Sequence, residues 1–213
     1  MDQKLLLDLK WKKLRKLAKY FAFVPFLDFV VVTGSMAVGN VKENSDFDLL
    51  VSVKEGRMFT TRYCINLIFS LLGERRPDDL EETKSDKLCL NHFVTEATWS
   101  IKPINAYSAV IYRNWVPLWG DEQKIEKFLI LNSGYDPNAK THLEDLRFRK
   151  GKKNAVARSL ERSLGGTIGD LIEKNVAGAI AKRRLSKYLA RKEGSGRFIL
   201  NERELEFHSN PKK

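Results

Sequence analysis

Residues 34–51 read GSMAVGNVKENSDFDLLV, and this stretch decides the fold because it joins a small-residue turn to a pair of aspartates. A β-branched run at residues 29–33 comes just before this stretch, and the apolar run Phe47–Val53 begins within it and continues past its end. Both runs are predicted strands. Side chains two residues apart on a strand share a face and lie about 7 Å apart, at ~3.3 Å per residue. Asp46 and Asp48 therefore form one acidic pair.

The acidic pair and the turn together predict a metal and phosphate site. Two neighbouring carboxylates repel each other unless a cation lies between them. Mg²⁺ typically takes one or two carboxylates plus substrate phosphate oxygens, so Mg²⁺ is the predicted cofactor. Gly34 lets the backbone approach a ligand and Ser35 adds a hydroxyl donor, while residues 36–38 can open a short helix whose free amides attract anions. Phosphates would then bridge the turn and the metal.

The order and spacing of this stretch match a known signature: Gly-Ser, three residues, Gly, five residues and Ser-Asp-x-Asp-Leu-Leu-Val. The chain therefore resembles the minimal nucleotidyltransferases of the DNA polymerase β superfamily, over roughly residues 10–100. The resemblance implies an α+β fold with a mixed sheet flanked by helices. It also implies that Gly34 and Ser35 hold the triphosphate of an NTP, ATP being one candidate. Asp46 and Asp48 would bind Mg²⁺, and a nucleoside monophosphate would pass to a hydroxyl acceptor with release of pyrophosphate.

A third carboxylate is not evident in the sequence. The superfamily usually supplies it from a later strand, and the best candidate strand, residues 88–95, has Asn91 at its centre. Acidic residues stand only at its margins, Asp86 before it and Glu96 after it. Either one of these acids is the third ligand or an amide fills the position. An amide cannot accept a proton and binds the metal less tightly, which would weaken activation of the attacking hydroxyl.

Composition limits the class of protein. The 213 residues are 43% hydrophobic, which is enough for one good core and a smaller second unit. The longest apolar run, residues 20–34, contains Pro25 and Asp28 and falls short of the ~20 residues that span a bilayer, so no membrane span is predicted. Cys64 and Cys89 each lie in an apolar element, which predicts buried, reduced thiols in a cytoplasmic protein, without a disulfide or metal role.

The C-terminal part of the chain is strongly basic. Residues 147–192 carry a net charge of +11, which equals the net charge of the whole chain. Apolar residues repeat at three- and four-residue steps from residue 168 to residue 180, which predicts helices and an apolar stripe that docks on another surface. The run 197–207 is predicted to form a terminal strand or small hairpin. We therefore divide the chain into a nucleotidyltransferase domain, residues 1–145, and a basic helical C-terminal region, residues 146–213.

The basic region, residues 147–192, also suggests a partner. A positively charged helical segment favours a polyanion, with RNA or DNA as the first choice and an anionic membrane surface as the second. The alternative is a solvated helix face on a basic protein. Two other functions stay open on the same fold: a non-catalytic nucleotide- or RNA-binding protein, and an antitoxin-like partner of a helical toxin protein.

Overall fold

One mixed sheet of seven strands lies at the centre of the described part of the chain. The computed structural model describes residues 2–75, 85–101, 112, 114–134, 147–177, 179, 183 and 197–208. The strands are β1 (Leu27–Val32), β2 (Phe47–Val53), β3 (Leu88–Val94), β4 (Val116–Gly120), β5 (Arg149–Lys150), β6 (Arg197–Leu200) and β7 (Glu204–His208). Their order across the sheet is β5-β4-β1-β2-β3-β7-β6.

Strand directions show how the two ends of the chain share this sheet. β1 pairs antiparallel with β2 and β4, while β2 and β3 run parallel. β7 adds antiparallel to β3 and forms a hairpin with β6, so the predicted terminal hairpin is confirmed. The division at residue 146 stays a prediction, because β5, β6 and β7 extend the sheet that the earlier residues build.

Helices cover the sheet, which gives the α+β class with a mixed sheet flanked by helices that was expected. The α-helices are α1 (Gln3–Leu17), α2 (Gly34–Val38), α3 (Met58–Leu71), α4 (Glu122–Leu131), α5 (Ala155–Ser163) and α6 (Thr167–Leu171). Short 3₁₀-helices span Ala18–Phe23 and Glu96–Thr98, and a π-helix spans Ile172–Ala177. Within the described ranges, none of the helices combines the length and the apolar composition that crossing a membrane requires.

Alternation along the strands divides the core into two layers. Val30 and Leu49 face the helix layer of α1 and α3, while Val31 and Leu50 face the opposite layer, which includes α4. Buried helical and loop side chains complete the two layers: Leu14, Phe21, Ile65 and Phe69 in the first, and Trp99, Tyr112, Trp115 and Phe128 in the second. Because Asp48 lies two residues before Leu50, it belongs to the face of the second layer.

Candidate active site

The acidic pair lies at the beginning of β2, at the end of the sheet where β1 finishes. Ligand atoms of Asp46, Asp48 and Cys89 all lie within 4.8 Å of one another. All three side chains are partly exposed, so a ligand from solvent can reach them. Two carboxylates and a thiol therefore converge on one accessible point, and the two aspartates are oxygen donors of the kind that hard divalent cations take.

Gly34 faces the acidic pair from the first turn of α2. A Cβ atom at Gly34 would lie 2.6 Å from Oδ2 of Asp48, which is closer than real Cβ contacts. Its φ of +63° is the left-handed conformation that also favours glycine. The backbone amide of Thr33 donates to the carbonyl of Asp48 over 3.0 Å and holds the turn against β2. The structure thus brings the predicted phosphate turn and the predicted metal ligands together, with room only for glycine between them.

Ser45 closes the turn that leads into the acidic pair. Its hydroxyl accepts a hydrogen bond from the amide of Lys42 over 2.9 Å, and its own amide donates to the carbonyl of Lys42 over 3.0 Å. Serine side chains stabilise turns in this way by bonding to nearby backbone groups. The serine of the sequence signature therefore has a structural reason: it fixes the chain one residue before Asp46.

Lys10 holds the same turn from α1. Its ammonium group donates to the carbonyls of Glu43 and Ser45 over 3.1 and 2.8 Å, and it pairs with Asp86 over 2.6 Å. The lysine is 3% exposed, which is rare for this residue type unless it is paired. Sequence analysis missed it, because one lysine on a lysine-rich helix gives no signal of its own. Two of its bonds fix the segment that carries Asp46, and the third ties that segment to Asp86 before β3.

The third position beside the acidic pair belongs to Cys89. In the parallel pairing of β2 with β3, Asp48 lies opposite Cys89, and the pairing resumes with Leu50 opposite His92. Asn91, the amide alternative, lies in the irregular stretch between these pairs, and its side chain lies outside the described part of the structure.

Neither of the two predicted acids joins this group. Asp86 is engaged by Lys10, as described above, and Glu96 lies in the turn after β3, where it pairs with Lys127. The Lys127 ammonium lowers the pKa of Glu96 by hydrogen bonding and by its charge. Among the described residues, the group of metal-ligating side chains at this point is Asp46, Asp48 and Cys89. Cys89 was missed in the sequence because the third ligand was expected to be an acid or an amide.

The two cysteines differ from the expectation of buried thiols. Cys64 and Cys89 do not bond to each other, and both are partly exposed. Cys64 lies on α3, where burial of its surroundings raises the pKa of the thiol. Cys89 lies beside the acidic pair, because the pairing of β3 with β2 places it opposite Asp48. That neither cysteine has a metal role stays a prediction, and of the two Cys89 is the one whose sulfur lies within 4.8 Å of the carboxylates of the acidic pair.

Comparison with known proteins agrees with this geometry. Residues 14–103 match a family model described as a nucleotidyltransferase domain. Residues 14–103 are therefore identified as a nucleotidyltransferase domain. This domain includes the phosphate turn, the acidic pair and Cys89, and the resemblance expected from the signature is confirmed for this part of the chain.

Other comparisons add less about the nucleotidyltransferase domain. No curated protein matches the chain. One similar solved structure is described as a "Crystal structure of the toxin-antitoxin with AMP-PNP"; it is 15% identical, with a TM-score of 0.35, and the match covers 62% of this chain and 92% of that chain. At this TM-score the likeness supports no conclusion about what the present chain binds.

The basic region attaches to the nucleotidyltransferase domain through its acidic residues. Glu173 accepts hydrogen bonds from the backbone amides of Phe59 and Thr60, over 2.6 and 2.9 Å, at the start of α3. A carboxylate at this end of a helix bonds to amides that have no partner within the helix and also offsets the helix dipole. Glu173 therefore caps α3 from a distant part of the chain.

The two other acids of the basic region also contact the domain. Glu161 accepts from the backbone amide of Phe26 over 2.5 Å, and Asp170 pairs with Arg57 over 2.7 Å. These polar contacts replace the predicted apolar docking for two members of the stripe, because Ile168 and Leu171 remain 67% and 57% exposed. All three acids within residues 147–192 thus form hydrogen bonds or an ion pair with the nucleotidyltransferase domain. Several basic side chains of the region are exposed to solvent, namely Lys152, Arg158, Arg162 and Lys174.

Proposed function

We propose that this chain is a Mg²⁺-dependent nucleotidyltransferase. An acceptor hydroxyl oxygen attacks the α-phosphorus of an NTP, the bond from that phosphorus to the bridging oxygen breaks, and pyrophosphate leaves with that oxygen. The hydroxyl proton passes to solvent or to a base, so a nucleoside monophosphate becomes esterified to the acceptor. Phosphoryl transfer of this kind depends mainly on positioning and charge stabilisation, and it needs little acid–base chemistry from the protein.

One observation carries the proposal: Gly34 lies against the Asp48 carboxylate, at a distance that excludes even a methyl group. A turn that holds phosphate has to lie this close to the metal ligands if one polyphosphate is to reach both. Ser35 follows in the same turn and is partly exposed, so its hydroxyl is available to a phosphate oxygen. Gly34 and Ser35 are therefore assigned to the triphosphate.

The donor set fits the proposed ion. Asp46 and Asp48 supply the two carboxylates that Mg²⁺ commonly takes from a protein, and phosphate and water supply its remaining ligands. When bound, the ion stabilises charge on the leaving pyrophosphate and favours deprotonation of the acceptor hydroxyl. Lys10 and Ser45 position the turn that carries Asp46, so both act on the reaction through the aspartates.

Cys89 bears on how the proton leaves. A carboxylate at this position could accept the acceptor's proton, and this chain has the Cys89 side chain there instead. We therefore assign deprotonation to solvent and propose a slower reaction than three carboxylates would allow.

The cytoplasmic location stays a prediction of the sequence.

The test is transfer of label from ATP, CTP, GTP or UTP to total cellular RNA and protein in the presence of Mg²⁺. We expect one nucleotide and acceptor class to be labelled. Asp46→Asn combined with Asp48→Asn should reduce transfer by about 10³-fold or more, because metal stabilisation is worth several kcal/mol and each ~1.4 kcal/mol is tenfold in rate. Circular dichroism should show an unchanged fold. Nucleotide binding without any transfer would favour the non-catalytic alternative.

The basic region supports RNA as the partner or acceptor class. Each of the three acids of residues 147–192 bonds to the domain, although Asp170 stays 66% exposed, and exposed basic side chains such as Lys152, Arg158 and Arg162 remain available to a polyanion. RNA offers the regular phosphate spacing that such a surface can follow.

Salt dependence tests this part of the proposal. Neutralising Arg158, Arg162 and Lys174 to Gln should weaken RNA binding and reduce the slope of log affinity against log salt by about 0.7 for each lost phosphate contact to single strands. The matched control neutralises three exposed basic residues of α1, Lys12, Arg15 and Lys16. Equal losses in the two triple variants would show only a general charge effect. Asp46→Asn with Asp48→Asn should leave the salt slope unchanged.

A further inference from the structure

A second group of polar side chains is buried where β3 meets β7, away from the phosphate turn. It consists of His92, Tyr112, Glu204 and Glu206. His92 pairs directly with Glu206 across the two antiparallel strands, and Glu204 lies two residues along β7 on the same face. His92 and Glu206 have side chains that are each 1% exposed, while the Glu204 side chain keeps 15% exposure. The group is therefore enclosed on all but the Glu204 side.

Hydrogen bonds set the proton positions within this group. The Tyr112 hydroxyl donates to Oε1 of Glu206 over 2.8 Å and lies 2.7 Å from Nδ1 of His92. A hydroxyl has one proton, so the tyrosine oxygen accepts from His92 and Nδ1 carries a hydrogen. The other ring nitrogen, Nε2, points to the carboxylates. With Nδ1 engaged by Tyr112, Nε2 is the ring nitrogen that faces Glu204 and Glu206 and that would hold a metal ion between them.

Nε2 of His92 lies between the two carboxylates. It is 3.2 Å from Oε1 of Glu204 and 3.9 Å from Oε2 of Glu206, and one ligand atom from each of the three residues falls within 4.8 Å of the others. Zinc bonds of about 2.0–2.2 Å to nitrogen and oxygen, at tetrahedral angles, place ligand atoms about 3.4 Å apart. The observed distances need only small movements to reach that arrangement.

We propose that His92, Glu204 and Glu206 bind a divalent cation, with Zn²⁺ as the first choice. Two carboxylates this close in a buried place repel each other, and a divalent ion between them converts that repulsion into attraction. One imidazole and two carboxylates suit zinc better than magnesium, which prefers oxygen ligands alone. The Glu204 side supplies the entry path and the position for a water ligand. The ion joins β7 to β3, so its effect is to fasten the C-terminal hairpin to the nucleotidyltransferase domain.

The site is distinct from the acidic pair by its position in the sheet. His92 lies opposite Leu50, whereas Cys89 lies opposite Asp48, with the irregular stretch of β3 between the two positions. A metal-binding experiment can therefore separate the two sites by substitution. This separation also makes the proposal independent of the proposed transfer reaction.

The test measures zinc in the full chain after treatment with chelator and reloading with Zn²⁺. We expect one zinc per chain that survives Asp46→Asn with Asp48→Asn and is lost in His92→Gln and in Glu206→Gln. Anomalous diffraction at the zinc edge should place the ion between His92, Glu204 and Glu206. Zinc in excess of its dissociation constant should raise the Tm by about 5–10 °C, and chelator should reverse the rise.

The matched control is Glu202→Gln, since Glu202 is an exposed acid in the turn of the same hairpin. It should keep the zinc and the Tm rise. Should His92→Gln fail to fold, Glu204→Gln at the partly exposed edge replaces it and should weaken zinc binding at least tenfold. Unchanged zinc affinity in Glu204→Gln and His92→Gln, or anomalous density at the acidic pair alone, overturns the proposal.

Discussion

The acidic pair and the His92 group lie on one sheet, but the first is formed by residues close together in the chain and the second by residues far apart in it. The acidic pair forms within one stretch of chain, because Gly34 and Asp48 are brought together by the ends of the neighbouring strands β1 and β2. The His92 group joins residues 112 positions apart, His92 and Glu204. A site built locally forms with its own hairpin, whereas a site built over a long range exists only when the C-terminal strands have docked.

Because of this difference, a substitution in one region can be tested without changing the structure of the other. Changes in the stretch of residues 34–48 should alter the reaction and leave the C-terminal hairpin in place. Changes in residues 147–208 should alter stability and leave the geometry of the acidic pair unchanged. A substitution in one region that also changed the property assigned to the other region would contradict this difference.

Gly34→Ala should give the largest effect of the single substitutions. The new Cβ would meet the Asp48 carboxylate at 2.6 Å, and because that atom is the end of a side chain, the carboxylate turns away while the fold survives. Displacement of about 1 Å at a catalytic group can cost about 10²-fold in rate, so we expect at least that loss of transfer. The left-handed φ adds about 1 kcal/mol of strain. Steady-state transfer and urea unfolding measure the two effects.

Gly56→Ala is the control for that strain. Gly56 has a φ of +74°, close to that of Gly34, but a Cβ there would meet nothing within 4 Å. It should lose about the same stability and keep full transfer activity. Equal loss of activity in both variants would mean that backbone strain, and not contact with Asp48, explains the need for glycine at position 34.

Lys10→Met should give the second largest effect. Methionine fills the buried space but removes the ammonium donor from the Glu43 and Ser45 carbonyls and the Asp86 carboxylate, and the Ser45 carbonyl keeps only a longer bond of 3.3 Å from the amide of Asp86. Bonds to a charged group are worth about 1.5–3 kcal/mol, so the free energy of unfolding should fall by about 2 kcal/mol. The segment before Asp46 loses its support, so the KM for nucleotide should rise.

Lys13→Met provides the comparison for Lys10. Lys13 is on the same helix, pairs with Glu74 over 3.0 Å and donates to the carbonyl of Asp86 over 2.9 Å, but its side chain is 33% exposed and these bonds lie outside the turn of residues 42–45. A partly exposed pair of this kind is worth less than about 1 kcal/mol, and nucleotide KM should not change. Identical results for the two variants would exclude the positioning role of Lys10.

The sequence allowed the local site to be predicted but not its surroundings. The turn at Gly34, the strand Phe47–Val53 and the acidic pair follow from patterns that span a few residues, and the structure has them in those places. The third donor, Cys89, was missed because it depends on the register between β2 and β3, which the sequence does not show. Residue type was also misleading there, since cysteine in an apolar strand is usually a core residue.

The C-terminal part shows the same limit on prediction. The pattern of residues 168–180 indicated a helix and the run 197–207 a terminal strand or small hairpin, and the described residues contain helical turns over Thr167–Leu171 and Ile172–Ala177 and the hairpin. The docking of Glu173 on α3 and the pairing of His92 with Glu206 could not be predicted, because each joins segments far apart in the chain. An acid within a basic run looks like an ordinary surface charge until its partner is known.

Cys89→Asp tests the missing third carboxylate. Aspartate opposite Asp48 would give the site three acids, so the apo protein should lose stability through repulsion, while Mg²⁺ should bind about tenfold more tightly, or about 1.4 kcal/mol. Calorimetric titration with Mg²⁺ measures the affinity. Cys89→Asn has the same shape without the charge and should not gain affinity. A gain in both variants would indicate that removal of the thiol, rather than addition of a carboxylate, is responsible.

Glu173→Gln should give the smallest effect, on the second region alone. Glutamine keeps one oxygen acceptor for the amides at the start of α3 but loses the charge and the second acceptor, and helix caps of this kind are worth about 1 kcal/mol. Urea unfolding should show that loss, while transfer and Mg²⁺ affinity stay unchanged. Glu126→Gln, at an exposed position on α4, is the control and should leave stability within about 0.5 kcal/mol. If Glu173→Gln instead reduced transfer, the two regions would be coupled, because capping of α3 by the C-terminal segment would then reach the acidic pair through the sheet.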